Sequence, residues 1–117
     1  DINAFFSHSI DLAERAGLPR DMIVLDPGIG FGKTPEQSIE VIAKLDTFRR
    51  FELPILIGAS RKRFINAVSE SEPKQRLGGS IAADIMAFHK GANIIRTHDV
   101  AETIQALRVT IALRDIQ

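Results

Sequence analysis

The chain has 117 residues, 15 Lys and Arg against 15 Asp and Glu, no Cys, and 44% hydrophobic side chains. That length permits one domain at most. A zero net charge gives no electrostatic case for nucleic acid or an acidic membrane surface. The absence of Cys removes disulfides and thiolate metal sites and fits a reducing compartment. No apolar run approaches the ~20 residues of a membrane span. Asp1 rather than Met opens the chain and nothing after it resembles a signal peptide, so the sequence is expected to start partway through a larger protein.

In chain order, Ala4–Ala16 reads as a helix ended by Gly17-Leu18-Pro19. Met22-Ile23-Val24-Leu25 is a short apolar run that meets Asp26-Pro27-Gly28. Thr34-Pro35-Glu36-Gln37 has the form of a capping box, with Thr34 as N-cap and Pro35 at the first helical position. Ile39, Ile42, Leu45 and Phe48 then share one helical face until Pro54. A second run, Ile55-Leu56-Ile57, ends at Gly58-Ala59-Ser60. Ser80–Lys90 is a helix with Ile81, Ile85 and Phe88 on its stripe and Gly91 at its end. The third run, Ile94-Ile95, ends at Arg96-Thr97-His98-Asp99. Asp99 is the expected N-cap of a last helix that buries Ile104, Leu107 and Ile111.

The order is a helix followed by three strand–helix units. The strand-like runs are 32 and 39 residues apart, counted from Ile23 to Ile55 and from Ile55 to Ile94, which suits a parallel strand–helix–strand repeat of ~30 or more residues. Runs this short and wholly apolar are expected of strands buried on both faces. Three parallel strands cannot close a barrel, and an open three-stranded sheet leaves its edges bare. A complete eight-unit barrel needs about 250 residues. A small three-layer sandwich is the plainer alternative; a piece of a larger barrel fits better.

Polar residues gather where the runs end, as they do in α/β sites. In Asp26-Pro27-Gly28-Ile29-Gly30-Phe31-Gly32-Lys33-Thr34, Pro27 stands where a phosphate-binding P-loop needs Gly. Lys33 stands where a dinucleotide fingerprint needs Gly. The alternating glycines still imply sharp turns or close approach to a ligand. Asp26 is read as a ligand contact, with a loop cap as the alternative. In Ser60-Arg61-Lys62-Arg63, three cations open a helix, which the helix dipole disfavours unless an anion or polar ligand is near. A solvated helix start is an equal reading for Arg63. Lys62 is the better donor candidate, and Ser60 can donate or accept. Arg96 and His98 alternate and point to one side, suiting a phosphate or carboxylate, with a loop-capping His98 as the alternative. His8 and His89 lie in helical stretches and are assigned surface or packing roles.

These three blocks, Asp26–Thr34, Gly58–Arg63 and Arg96–Val100, resemble the C-terminal signature loops of the dihydropteroate synthases. The resemblance implies an α/β fold, the C-terminal portion of a TIM (β/α)8 barrel comprising helix 5 and strand–helix units 6 to 8, with residues 1–117 one fragment of a pterin-binding domain. It implies a cytoplasmic, sulfonamide-targeted transferase of folate biosynthesis. That enzyme condenses 6-hydroxymethyl-7,8-dihydropterin pyrophosphate with 4-aminobenzoate and releases pyrophosphate. By motif position Asp26, Lys62 and Arg96 would bind pterin; Arg96, Thr97 and His98 would bind pyrophosphate; Phe31, Ser60, Arg61 and Lys62 would line the aminobenzoate pocket. The family's Mg²⁺ would be bound by strands this chain lacks, and a homodimer is expected. No side chain is assigned as nucleophile or base. A related pterin-binding methyltransferase, or a non-catalytic interaction domain retaining these residues, are the competing readings. The isolated chain is expected to be inactive.

Overall fold

The computed structural model describes residues 1–116; the final residue of the expected 1–117 domain lies outside them. Helix α1 spans Ile2–Arg15, with the Asp1 carboxylate accepting from the Asn3 amide at 3.0 Å. It stops one residue before the expected Ala16, and Gly17 follows at φ +91°. Helix α2 spans Pro35–Ala43 and opens on the full reciprocal capping box: the Gln37 amide donates to Thr34 Oγ1 at 3.1 Å and the Thr34 amide to Gln37 Oε1 at 2.9 Å. The expected continuous face past Leu45 is broken. The chain tightens into a 3₁₀ helix over Leu45–Phe51, which buries Leu45, Phe48 and Phe51 and leaves Ile39 exposed.

Strand β1 (Leu56–Ile57) pairs in parallel with β2 (Ile94–Ile95), Leu56 opposite Ile94 and Ile57 opposite Ile95. On the other side of β1 only Leu25 is joined, by a parallel bridge to Ile55. The expected strand over Met22–Leu25 is therefore reduced to its end: Arg20–Met22 is a 3₁₀ turn and Met22 is 68% exposed. Burial on both faces is also corrected. Leu25, Ile55 and Ile57 are buried, whereas Val24 and Ile94, of the opposite parity, are exposed. Side chains alternate across a sheet, so one face is covered by helices and the other is open.

The helix expected to open at the three cations is short, α3 (Arg63–Val68), and a 3₁₀ turn over Pro73–Gln75 that the sequence did not mark follows it. Helix α4 spans Leu77–His89, starting three residues before the expected Ser80. Its buried stripe is Ser80, Ala83, Asp84 and Ala87, while Ile81, Ile85 and Phe88 are only half-buried. Small residues let the helix lie close: a Cβ on Gly79 would meet Ile65 Cγ2 at 2.5 Å. Helix α5 spans Val100–Arg114 and buries Thr103; Ile104 is exposed, and Leu107 and Ile111 are half-buried. Asp99 makes no side-chain cap.

The core lies under the covered face. Phe6 of α1 meets Phe48 and Phe51 edge-on at ring separations of 5.2 and 5.9 Å, a favoured aromatic geometry. Ile10, Leu25, Ile42, Leu45, Ile55 and Ile57 belong to it, and Ile29, Phe64, Ile65 and four alanines extend it. Burying each such aliphatic side chain contributes roughly 1.5–3 kcal/mol. This packing anchors the strand ends from below and leaves the loops beyond them free to carry polar groups.

Candidate active site at the strand ends

Asp26 leaves the sheet one residue beyond Leu25. Its Oδ1 accepts from the Gly28 amide at 2.8 Å, so part of the carboxylate caps its own loop and the exposed remainder is free for a ligand. Gly28, Gly30 and Gly32 all take positive φ, at 70°, 84° and 62°, which is where only Gly is at ease. Inside this loop the Lys33 ammonium donates to the Gly28 carbonyl at 2.9 Å. Its charge is used to close the loop.

Gly30 has a second reason to lack a side chain, since its Cβ would sit 3.3 Å from Lys62 Cδ. Lys62 reaches over this loop and its Nζ lies 4.4 Å from the centre of the Phe31 ring. Such a cation–π contact contributes ~0.5–1 kcal/mol at an exposed site. Phe31 itself is 66% exposed. An apolar ring and an ammonium thus stand together at the mouth of the sheet, the pairing an aromatic ligand with polar edges would use.

At the second and third strand ends the structure brings together Ser60, Lys62, Arg96, Thr97 and His98 around one cavity of about 410 Å³, floored by Gly58. The Arg96 amide donates to the Ile57 carbonyl at 2.9 Å, prolonging the β1–β2 ladder. Ser60 is buried and takes His98 on two atoms: the His98 amide donates to Ser60 Oγ at 3.1 Å and the ring Nδ1 lies 2.8 Å from the same oxygen. His98 is therefore held by a neighbouring strand end. Asp26 and Phe31 stand outside this cavity's lining; Phe31 joins it through Lys62, and Asp26 lies at the adjacent strand end.

Arg61 sits behind the cavity. Its Nη2 and Nε donate to the two Asp99 carboxylate oxygens at 2.8 and 3.3 Å, a forked geometry suited to guanidinium. The hydrogen bond from Arg61, with its charge, holds the Asp99 carboxyl below the usual carboxylate range, and the same bond raises Arg61. The expected cap role of Asp99 is lost because its oxygens are committed here. A second cavity of about 590 Å³ opens beside Lys62; Lys33, Arg61, Lys62, Arg63 and Arg76 line it, and no carboxylate does. Arg76, Ser80 and the floor residue Gly58 are site-forming residues that motif reading did not assign. Gly58 had a local signal, as a glycine directly after an apolar run; Arg76 and Ser80 had none.

The described residues hold no group of three or more His, Asp or Glu placed to bind a metal. Among them no helix is long and apolar enough to cross a membrane.

Residues 1–98 match the family model for pterin-binding enzymes. Dihydropteroate synthase of Escherichia coli K12 is 42% identical over 112 residues, covering 96% of this chain and 40% of that protein. The Yersinia pestis dihydropteroate synthase, solved with a sulfonamide drug complex, superposes with a TM-score of 0.95 at 41% identity, over 99% of this chain and 42% of that one. The Xanthomonas albilineans enzyme in complex with 7,8-dihydropteroate gives 0.94 at 37% identity, over 97% and 45%, and has also been captured with 4-aminobenzoic acid. The chain belongs to the dihydropteroate synthase family. It spans about two-fifths of the length of the synthases it matches, and it is an α/β fragment that aligns with part of their barrel.

Proposed function

We propose that this chain is the C-terminal part of a dihydropteroate synthase barrel, helix 5 and strand–helix units 6 to 8, within an enzyme that joins 6-hydroxymethyl-7,8-dihydropterin pyrophosphate to 4-aminobenzoate. The observation that carries the reading is the single cavity shared by Lys62, Arg96, Thr97 and His98, with Asp26 at the neighbouring strand end. Asp26 accepts from the amino-pyrimidine edge of the pterin, as an acceptor-only carboxylate does. Lys62 donates to the ring, and Arg96 lies against its face. Arg96, Thr97 and His98 meet the pyrophosphate, whose oxygens gather charge as it departs, so donors aimed there stabilise the transition state above the ground state.

The arylamine packs beside the Phe31–Lys62 pair, with Ser60 and Arg61 shaping that pocket from behind. The acid-free, cation-lined cavity beside Lys62 supports a substrate that carries a carboxylate. No side chain acts as nucleophile or base. Mg²⁺ belongs to strands outside this chain, and no step performed by these residues runs through it. The same reading gives a cytoplasmic homodimer of a sulfonamide-targeted family. Exposed Ile39, Val68 and Met86 on a groove between α2, α3 and α4 support association with a second copy. The synthase is favoured over a pterin-binding methyltransferase by the two cationic blocks, Ser60-Arg61-Lys62 and Arg96-Thr97-His98.

Calorimetric titration of 7,8-dihydropterin into the chain combined with its complementary strands tests the assignment. Asp26→Asn and Lys62→Ala should each weaken binding by about 1–3 kcal/mol, the cost of unpairing a buried polar contact. Unchanged affinity in both variants contradicts it.

A further inference from the structure

We propose that Arg76 is a positioning residue for the strand-end site: through Arg61 and Ser80 it holds the turn that sends Ser60 to His98 and Lys62 to Phe31. The proposal rests on the synthase reading for its functional meaning and on geometry for its substance. Arg61 lies between the two site residues and has a left-handed backbone, φ +57°, which L side chains with a Cβ avoid. Strained residues of this kind persist where their surroundings over-determine them.

Arg76 supplies that surrounding. Its Nη1 donates to the Arg61 carbonyl at 3.0 Å. Its own carbonyl accepts from the Ser80 hydroxyl at 2.7 Å, and Ser80 Oγ in turn accepts from the Arg61 amide at 2.8 Å. Both backbone polar groups of Arg61 are thus tied to Arg76, one directly and one through Ser80. The remaining edge of the guanidinium grips Ser71, at its carbonyl (2.7 Å) and hydroxyl (3.3 Å).

Arg76 is 7% exposed and forms none of the ion pairs found among the described residues. A buried charge without a counter-charge is costly to keep, and an apolar side chain would fill the space more cheaply if filling were the task. What an apolar side chain cannot do is donate to several carbonyl and hydroxyl oxygens at once from one rigid fork. One of those bonds, with the Ser80 relay from the Arg76 carbonyl, holds the residue that separates Ser60 from Lys62, and the other two anchor the guanidinium on Ser71.

Solution NMR of the 117-residue chain tests the proposal without any ligand, so its failure leaves the synthase assignment standing and a failed pterin titration leaves this one standing. Stacked on Phe31, the Lys62 ε-methylene protons are shifted upfield by the ring current, and the His98 ring ¹⁵N shifts carry the signature of an Nδ1 held at Ser60. In Arg76→Gln the Lys62 protons should move downfield to the position of a free lysine. The His98 ¹⁵N shifts should move to those of an exposed histidine such as His8, while the Phe6, Phe48 and Phe51 ring signals stay in place. Unmoved Lys62 and His98 signals in a folded Arg76→Gln chain would overturn the proposal. Should that variant lose its core signals, Arg76→Lys, which keeps the charge but not the fork, is read in the same way. Local movement of Lys62 and His98 there supports the proposal; uniform movement, or none, overturns it.

Discussion

The Arg96 guanidinium lies across the backbone of Gly58, so closely that a Cβ at that glycine would sit 2.7 Å from Nη2. Gly58 has an ordinary φ, unlike the glycines of the first loop. Ala is therefore tolerated by the backbone and excluded only by Arg96. Gly58→Ala should push the guanidinium aside and weaken pyrophosphate binding about tenfold, a change of about 1.4 kcal/mol, with little loss of stability. Titration of pyrophosphate beside a thermal melt checks both halves, and unchanged affinity would mean Arg96 is not held for that ligand.

Arg96 and His98 flank one cavity. Neutralising either, as Arg96→Gln or His98→Gln, should weaken the pyrophosphorylated pterin far more than the pterin alcohol. Arg96→Gln should show the smaller contrast, because the proposed stacking of Arg96 on the ring would serve both ligands. Competition binding with the two pterins measures the ratio; equal losses would assign the pair to shaping the loop.

Ser60→Ala removes the oxygen on which both the amide and the ring of His98 rest. The partly buried amide then loses its acceptor, which costs at most about 1–3 kcal/mol. Urea denaturation should show that loss, and His98 should lose its fixed ring orientation. A variant as stable as the parent would show that water replaces the hydroxyl at no cost.

Asp84 is 1% exposed and neither carboxylate oxygen has a partner. Burial alone pushes its carboxyl up to about 6. Because the folded value is raised above the unfolded one, the native chain holds the extra proton between about pH 4 and 6. Stability is therefore greatest below that window and falls as pH rises through it. Asp84→Asn or Asp84→Ala should flatten this dependence and stabilise the chain at pH 8, by at most about 3 kcal/mol. Denaturation midpoints at pH 4.5 and 8 decide it; a parent chain that is more stable at pH 8 through this group would contradict the assignment.

Local chemistry is what the sequence made readable. Thr34 and Gln37 cap α2 because the partners lie three residues apart, and the glycines between Asp26 and Lys33 carry their turns in their own backbone. The loop blocks carried the family, and the cavity that joins Lys62, Arg96 and His98 follows from two parallel strands ending side by side. What escaped depends on neighbours distant in sequence. Asp99 has the look of an N-cap until Arg61, 38 residues away, claims both its oxygens. Periodicity ranks Ile81, Ile85 and Phe88 above Ser80 and Asp84, yet close helix packing selects the small stripe and buries the acid with it. Met22 and Val24 read as core because they are apolar, although Met22 ends a 3₁₀ turn and Val24 lies on the sheet's open face in this chain. No pattern marks Arg76, whose acceptors are backbone carbonyls and a serine.

Turnover by the purified 117-residue chain, assayed with and without a separately expressed N-terminal half of the barrel, tests the central claim most directly. These strand ends supply an acid, a lysine, an arginine and a histidine, whereas positioning and electrostatic stabilisation need every wall around one substrate. The account predicts 7,8-dihydropteroate formation only in the mixture. Product formed by the chain alone, or none from a mixture shown to be folded and associated, would contradict it.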